Sequence, residues 1–281
     1  MSKRSFYTQD ELDQMHALLL DVLCEIRNVC DRHGLRYYLY CGTLLGCIRH
    51  GGFIPWDDDI DIAMPAEDYK KFLEIAPQEM PSWCAVQDLY HTKGYPYVWA
   101  KVSRNGTTLM DTDYRNSGMH MGIAVDIYPF LGIPENKVLA SLQRFAVEAA
   151  RQTSRVHLLR KVPAMRTSTA RKLCVYLPVH TLRLIGKLLY KAAMLDPDKH
   201  TKACTVDAAP FVPKYNWKDW QETTTASFDG EMFTIPANYD KLLRTMYGDY
   251  MKLPPEEKRV GHLPNPDHTI IDFNKDYREY I

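Results

Sequence analysis

A mixed α/β fold, with a sheet flanked by helices and a mainly helical insertion, is what this chain of 281 residues predicts. Three observations predict it. Helix-period and strand-period runs alternate through residues 1–135. A basic, apolar-clustered and helical stretch fills residues 136–200. The segment Asp196-Pro197-Asp198 then marks a return to the core, which residues 201–281 complete.

The first helix is announced by Thr8-Gln9-Asp10-Glu11, a capping box in which the threonine hydroxyl and the glutamate serve free amides. Leu12, Met15, Leu19, Leu23 and Ile26 recur at helical spacing, and Gly34 is a C-terminal stop. Residues 36–40 are tyrosine-rich and short, a strand leading through Gly42 into a helix carrying Leu44, Leu45 and Ile48. His50-Gly51-Gly52 ends that helix. A strand with Asp59 and Asp61 follows, and 67–75 is helical. Residues 95–102 and 107–110 are β-prone runs around Asn105-Gly106, a hairpin signal. Residues 122–130 form another strand with Asp126 in its middle.

Composition bounds the function. Thirty-five lysines and arginines balance 35 aspartates and glutamates, so no overall field draws in nucleic acid. The seven cysteines are odd in number, scattered and free of Cys-x-x-Cys pairs, which points to reduced thiols in a cytoplasmic protein. Cys41, Cys47 and His50 are better read as packing than as a zinc site. No signal peptide opens the sequence, and no run is long and apolar enough to cross a bilayer.

The chemistry concentrates in Trp56-Asp57-Asp58-Asp59-Ile60-Asp61-Ile62, with four aspartates in five residues. In an extended strand alternate side chains share a face, so Asp59 and Asp61 sit side by side, about 6.5 to 7 Å apart at their backbones, while Ile60 and Ile62 enter a core. Such a pair can hold a divalent metal. Asp126 on its apolar strand is either satisfied by an amide or an arginine, or it joins the pair in one metal site. The second reading is preferred, because a buried carboxylate is costly unless paired or bound to a cation.

These residues carry a resemblance. Gly42-Thr43, then Asp59-Ile60-Asp61-Ile62, then Asp126 on a later strand resemble the pattern of the nucleotidyltransferase superfamily. More narrowly, Gly-Thr-Leu-Leu-Gly-Cys-Ile-Arg-His-Gly-Gly-Phe-Ile-Pro-Trp-Asp-Asp-Asp-Ile-Asp-Ile is similar to the LicD family of phosphocholine transferases, relatives of fukutin and fukutin-related protein. Phe228-Asp229-Gly230, Pro236, Tyr239, Leu242, Tyr247-Gly248-Asp249-Tyr250-Met251, Pro254-Pro255, Arg259 and His262 are similar to the family's closing segment. The resemblance implies a nucleotidyltransferase-like mixed sheet and transfer of phosphocholine, or a related phospho-alcohol, from CDP-choline or another CDP-alcohol. The acceptor would be a hydroxyl of a surface glycan, lipopolysaccharide or teichoic acid, and CMP would leave. It implies Mg²⁺ or Mn²⁺ held by Asp59 and Asp61, with Asp126 as third ligand or as general base for the acceptor hydroxyl.

Gly42 and Thr43 either make a plain strand-to-helix turn or offer amides and a hydroxyl at a helix N-terminus to phosphate, and their spacing to the acidic strand favours phosphate. Arg49 and His50 either meet the second phosphate or the acceptor, or form a solvated helix end. Lys101 and Arg104, on the hairpin, are weaker phosphate candidates, while Asp57 and Asp58 orient Arg49 or the turn. Arg259 and His262 either reach the site or make structural salt bridges. A choline group would want aromatic faces, and Trp56, Tyr90, Tyr95, Tyr97 and Trp99 are the nearby supply.

From residue 151 to 195 there are ten lysines and arginines and no acidic residue. That face is either simply solvated or lies on the inner surface of an anionic membrane, where a lipid-linked acceptor would be met. Two further readings stand beside the phosphotransferase. One is transfer of NMP from an NTP with release of pyrophosphate, which the same carboxylates would serve. The other is a non-catalytic nucleotide-binding module, disfavoured because all three carboxylates are intact.

Overall fold

The computed structural model describes residues 7–162, 176, 178–207, 211, 214–261 and 268–281. Helix α1 (Gln9–His33) starts in the predicted capping box, with the Glu11 amide donating to Thr8 and the Glu11 carboxylate returning to the Thr8 amide. It stops at Gly34 in the left-handed conformation. Its buried face is Leu12, Met15, Leu19, Leu23 and Ile26, joined by Val22 and Val29. Strand β1 (Tyr38–Leu39), helix α2 (Cys41–His50), strand β2 (Ile60–Pro65) and helix α3 (Ala66–Glu79) follow. After them come β3 (Cys84–Gln87), β4 (Ala100–Arg104), β5 (Thr108–Asp111) and the ten-residue β6 (Ala124–Ile133).

Strand β6 organises the sheet. It lies parallel to β2 on one side and antiparallel to β4 on the other, giving the order β1-β2-β6-β4-β3. Its last residues pair with β7 (Lys202–Thr205), which carries β8 (Tyr215–Asn216). Apolar side chains of β2 and β6, among them Ile60, Ile62, Val125, Ile127 and Phe130, are fully buried. Burial of that kind stabilises by roughly 1.5 to 3 kcal/mol per large side chain. The sheet is therefore mixed and covered by helices, as predicted.

The Asn105-Gly106 turn does not close the predicted hairpin. Strand β4 pairs with β3 and β6, whereas β5 pairs with β11 (Thr269–Asp272). The turn's donors explain this. Asn105 N–H goes to the Trp83 carbonyl and Gly106 N–H to Asp276, so distant segments hold the turn open and steer β5 away. Residues 95–99, predicted as strand, lie outside β4 as loop.

Helices α4 (Lys137–Lys161) and α5 (Val179–Ala193) pack against each other between β6 and β7 in the chain. The Gln143 amide fastens the pair to the sheet by donating to the carbonyls of Gly132 and Ala193. The close crossing explains Gly186, whose added Cβ would stand 2.0 Å from the Thr153 hydroxyl. Residues 163–175 and 177, part of the basic stretch, lie outside the described residues. Val138, Leu142 and Phe145 on α4 and Leu184, Ile185 and Leu188 on α5 are exposed.

The C-terminal part braces the aspartate loop. Short helix α6 (Lys218–Gln221) precedes a hairpin of β9 (Thr223–Phe228) and β10 (Glu231–Pro236), then α7 (Tyr239–Tyr247). The hairpin turns at Asp229-Gly230, both residues with positive φ, the backbone that a two-residue turn demands. The Asp229 carboxylate accepts the Phe53 N–H at 3.1 Å and lies where a Gly52 side chain would be. Gly46 packs as tightly, since a Cβ there would stand 2.5 Å from the Gly52 carbonyl. We expect Gly46→Ala to destabilise the fold by about 1 to 3 kcal/mol in urea melts, through overpacking of α2 against this loop. An unchanged midpoint would show that the loop yields without cost.

Candidate functional site

Parallel pairing of β2 with β6 sets the register Asp61 to Asp126, so the two carboxylates stand opposite each other on neighbouring strands. Asp59 lies one pleat earlier, just before β2 begins. The Asp61 backbone amide donates to the Thr43 hydroxyl at 2.8 Å, so Thr43 positions the strand start from inside α2. Burial, then the charges of Asp59 and Asp126, hold the Asp61 carboxyl well above the usual carboxylate range. The physical content is an excess of negative charge in a partly dry place.

Asp126 is engaged on both oxygens. Lys101 Nζ pairs with Oδ1 at 2.5 Å, and Oδ2 accepts from Trp99 Nε1 at 3.1 Å and from the Tyr128 hydroxyl at 3.2 Å. Among the described residues no three His, Cys, Asp or Glu side chains are grouped closely enough to hold a metal ion as they stand. The charges of Asp59 and Asp126 both act on Asp61, while Asp126 itself is paired with the Lys101 ammonium. The donor set itself, carboxylate oxygens only, suits a hard divalent cation.

The neighbouring aspartates have a different job. Tyr7 donates to Asp58 at 3.1 Å, His16 Nε2 bonds the Asp57 carbonyl at 2.7 Å, and His16 stacks on Phe53 with centroids 3.9 Å apart. The Asp57 carboxylate stands 2.8 Å from where a Gly42 side chain would begin, so Gly42 is glycine because α2 starts against a protein carboxylate. Gly261 packs as closely on Asp58. Asp57 and Asp58 thus secure the loop, which fits the expectation that they orient the turn.

Two hollows meet at Asp59. One, of about 360 Å³, is walled by Asp58, Asp59, Tyr95, Tyr97, Lys101, Tyr114, His120 and Asp126. The other, of about 370 Å³, is walled by Cys41, Gly42, Trp56, Asp57, Asp59, Asp61, Tyr247 and Val260. Beside the first runs an aromatic chain: Tyr95 to Tyr97 at 5.6 Å, Tyr97 to Trp99 at 4.6 Å and Trp99 to Tyr128 at 5.5 Å. Lys101 Nζ lies 5.7 Å from the Tyr97 ring.

Of the other candidates, Arg259 lies over Trp56 at 5.5 Å and donates to the Pro254 carbonyl, while Arg49 donates to the Tyr250 carbonyl at 2.8 Å. Burial and then the Arg259 charge lower the Arg49 guanidinium from its ordinary value. Burial and then Arg49 push the His50 imidazole down. Arg49, His50, Trp56 and Arg259 therefore form one basic and aromatic group at the rim of the second hollow. His262 lies outside the described residues. Arg104 belongs elsewhere: it pairs with Asp21 at 3.2 Å and covers Trp83. Tyr90 is also apart, stacked on Tyr190 with its hydroxyl toward the Met194 sulfur.

Sequence reasoning passed over Tyr128, read Cys41 as packing, and placed Tyr247 in the closing segment without a role at the site. Tyr128 is two residues after Asp126 and so on the same face, a signal that strand alternation could have supplied. Cys41 has a positive φ of 45°, a strained backbone for a residue with a side chain, at the very start of α2. Behind it the Tyr40 hydroxyl bonds Thr205 and Tyr215 at 2.7 and 2.9 Å, beside the Lys214–Asp207 pair.

The family model described as LicD/FKTN/FKRP, nucleotidyltransferase domain, matches residues 34–170, which contain the β2–β6 pairing and all three carboxylates. Those residues match the LicD family. The similarity reaches further. Over 257 residues, 89% of this chain and 95% of the other, the sequence is 28% identical to the lipopolysaccharide cholinephosphotransferase LicD of Haemophilus influenzae. Over 111 residues, 40% of this chain, it is 32% identical to the mouse and human ribitol 5-phosphate transferase FKRP, covering 19% of those proteins. No helix among the described residues is long and apolar enough to cross a membrane.

Proposed function

We propose that this LicD-family chain is a phosphotransferase that moves phosphocholine, or a related phospho-alcohol, from a CDP-linked donor to a hydroxyl of a cell-surface glycan, releasing CMP. The observation that carries the reading is the facing pair Asp61 and Asp126, flanked by aromatic rings on one side and by the basic rim of Arg49 and Arg259 on the other. Relatives named as cholinephosphotransferase and as ribitol 5-phosphate transferase support a transferred phospho-alcohol and a glycan acceptor.

Asp59, Asp61 and Asp126 would hold Mg²⁺ or Mn²⁺, and the ion, when bound, would neutralise the diphosphate and acidify the acceptor hydroxyl. The chain's own groups do the positioning. Lys101, resting on Asp126, has a stronger partner in an arriving diphosphate, and its move would free an Asp126 oxygen for a ligand or base role. Arg49 and Arg259 steer the nucleotide end of the donor toward the hollow beside Trp56 and Tyr247. The rings of Tyr95 and Tyr97 wall the opposite hollow, where a quaternary ammonium gains by facing aromatic surface. The exposed apolar residues of α4 and α5 favour peripheral contact with a membrane surface carrying a lipid-linked acceptor.

Incubation with labelled CDP-choline, CDP-ribitol and CDP-glycerol, each with Mg²⁺ and a lipopolysaccharide or teichoic acid acceptor, tests the reading. CMP release coupled to labelled glycan is expected. Pyrophosphate release from labelled CTP, with all three CDP-alcohols untouched, would replace it with nucleotidyl transfer.

A further inference from the structure

On the far side of the loop that carries Tyr95 lies a second, positively charged cleft of about 360 Å³. His91, Lys93, His180, Arg183 and Lys187 line it, and among the described residues no carboxylate does. Arg183 donates to the carbonyls of Ser154 and Tyr95, and Lys187 to that of Tyr90, so both cations are fixed in place by neutral oxygens. Asp88, whose charge also reaches Lys187, is engaged with the His91 ring at 2.9 Å and with the amides of Tyr90 and His91. Helix α5 begins at Val179 without a side-chain cap, which adds the positive field of its first amides at the His180 end. Burial lowers the Arg183 guanidinium from its ordinary value, and burial followed by the Arg183 charge lowers the Lys187 ammonium. Such a pair is positive charge waiting for a counterion.

The cleft is one residue along the chain from the catalytic hollow. Gly94 lines the cleft and Tyr95 lines the hollow, with Arg183 gripping the Tyr95 carbonyl between them. We propose that the cleft binds a phosphate ester carried by the glycan acceptor, so that the acceptor docks as an anion and presents its hydroxyl across Tyr95 to the Asp61–Asp126 pair. The proposal rests on the phosphotransferase reading for the identity of the acceptor. A planar guanidinium and an ammonium held on rigid elements suit a phosphomonoester or phosphodiester better than a neutral sugar, which would leave both charges uncompensated.

The test uses the full-length protein and a deacylated, water-soluble lipopolysaccharide oligosaccharide, with its phosphates intact or removed by aqueous hydrogen fluoride. Calorimetry should show at least tenfold tighter binding of the phosphorylated form, falling steeply with salt. In Lys93→Glu/His180→Glu, which changes two exposed side chains, that advantage should vanish while the melting temperature holds and affinity for CDP stays within twofold. Arg183→Met is the stronger variant, and the exposed pair keeps the test informative if it fails to fold. Equal binding of the two oligosaccharides by the unaltered protein would overturn the proposal, whether both bind or neither does. A double variant that loses binding to phosphatidylglycerol vesicles yet keeps its preference for the phosphorylated oligosaccharide would also overturn it, in favour of a lipid headgroup. Loss of CDP binding in the unaltered protein would instead count against the phosphotransferase reading, since oligosaccharide binding is measured without a donor.

Discussion

Asp61→Asn should abolish transfer and at the same time make the metal-free protein more stable. The side chain sits among Asp59, Asp126 and Asp57, and burial is the largest of the influences raising its carboxyl. An amide of the same shape removes one of the repelling charges. The folded state binds the Asp61 proton more tightly than the unfolded chain, whose value is about 3.9. Stability from this group is therefore complete below about pH 4 and declines as pH rises toward the folded-state value. Asparagine should flatten that decline and add about 1 to 2 kcal/mol near neutrality, a rise of a few degrees in melting temperature. Activity should fall on the order of a thousandfold, because the proposed cation site would lose a ligand. Divalent metal should stabilise the unaltered protein and not the variant. A variant that melts lower than its parent at pH 7, in chelator, would show that the carboxylates do not repel as described.

The second large effect belongs to Lys101→Met. The Lys101–Asp126 pair is mostly buried, with side-chain exposures of 27% and 16%. Removing one partner of such a pair leaves the other charge without compensation, at about 3 kcal/mol. Transfer should drop about a hundredfold, because the proposed contact of Lys101 with the diphosphate would be lost. Added Mn²⁺ should recover much of the lost stability, because a divalent cation can replace the ammonium at Asp126. Chemical denaturation with and without Mn²⁺ measures this. Equal midpoints in the two conditions would separate Asp126 from the cation site and leave it a structural partner of Lys101.

The parts legible in the sequence were those fixed by short-range periodicity. Alternation placed Asp59 and Asp61 on one face, the capping box set the start of α1, and Gly51 closed α2 in the left-handed conformation. What escaped depended on distant partners. Asn105-Gly106 has the chemistry of a hairpin turn, yet Trp83 and Asp276 take its amides and β11 takes the next strand. Arg104 resembles a phosphate ligand until Asp21 and Trp83 come against it. The Thr43 hydroxyl, read as a phosphate contact, receives the Asp61 amide. Lys101 and Asp126 could each be named from sequence, but their register across β4 and β6, which makes them partners, could not.

The turn at Asp229-Gly230 has a practical corollary. Because Asp229 anchors Phe53 from 176 positions downstream, and Tyr250 and Gly261 close over Arg49 and Asp58, the stretch recognised by its family ends well before the chain that shapes it. A fragment cut at the boundaries of that match would carry all three carboxylates and lack the buttress that aims them. Recombinant work on such proteins should take the whole reading frame.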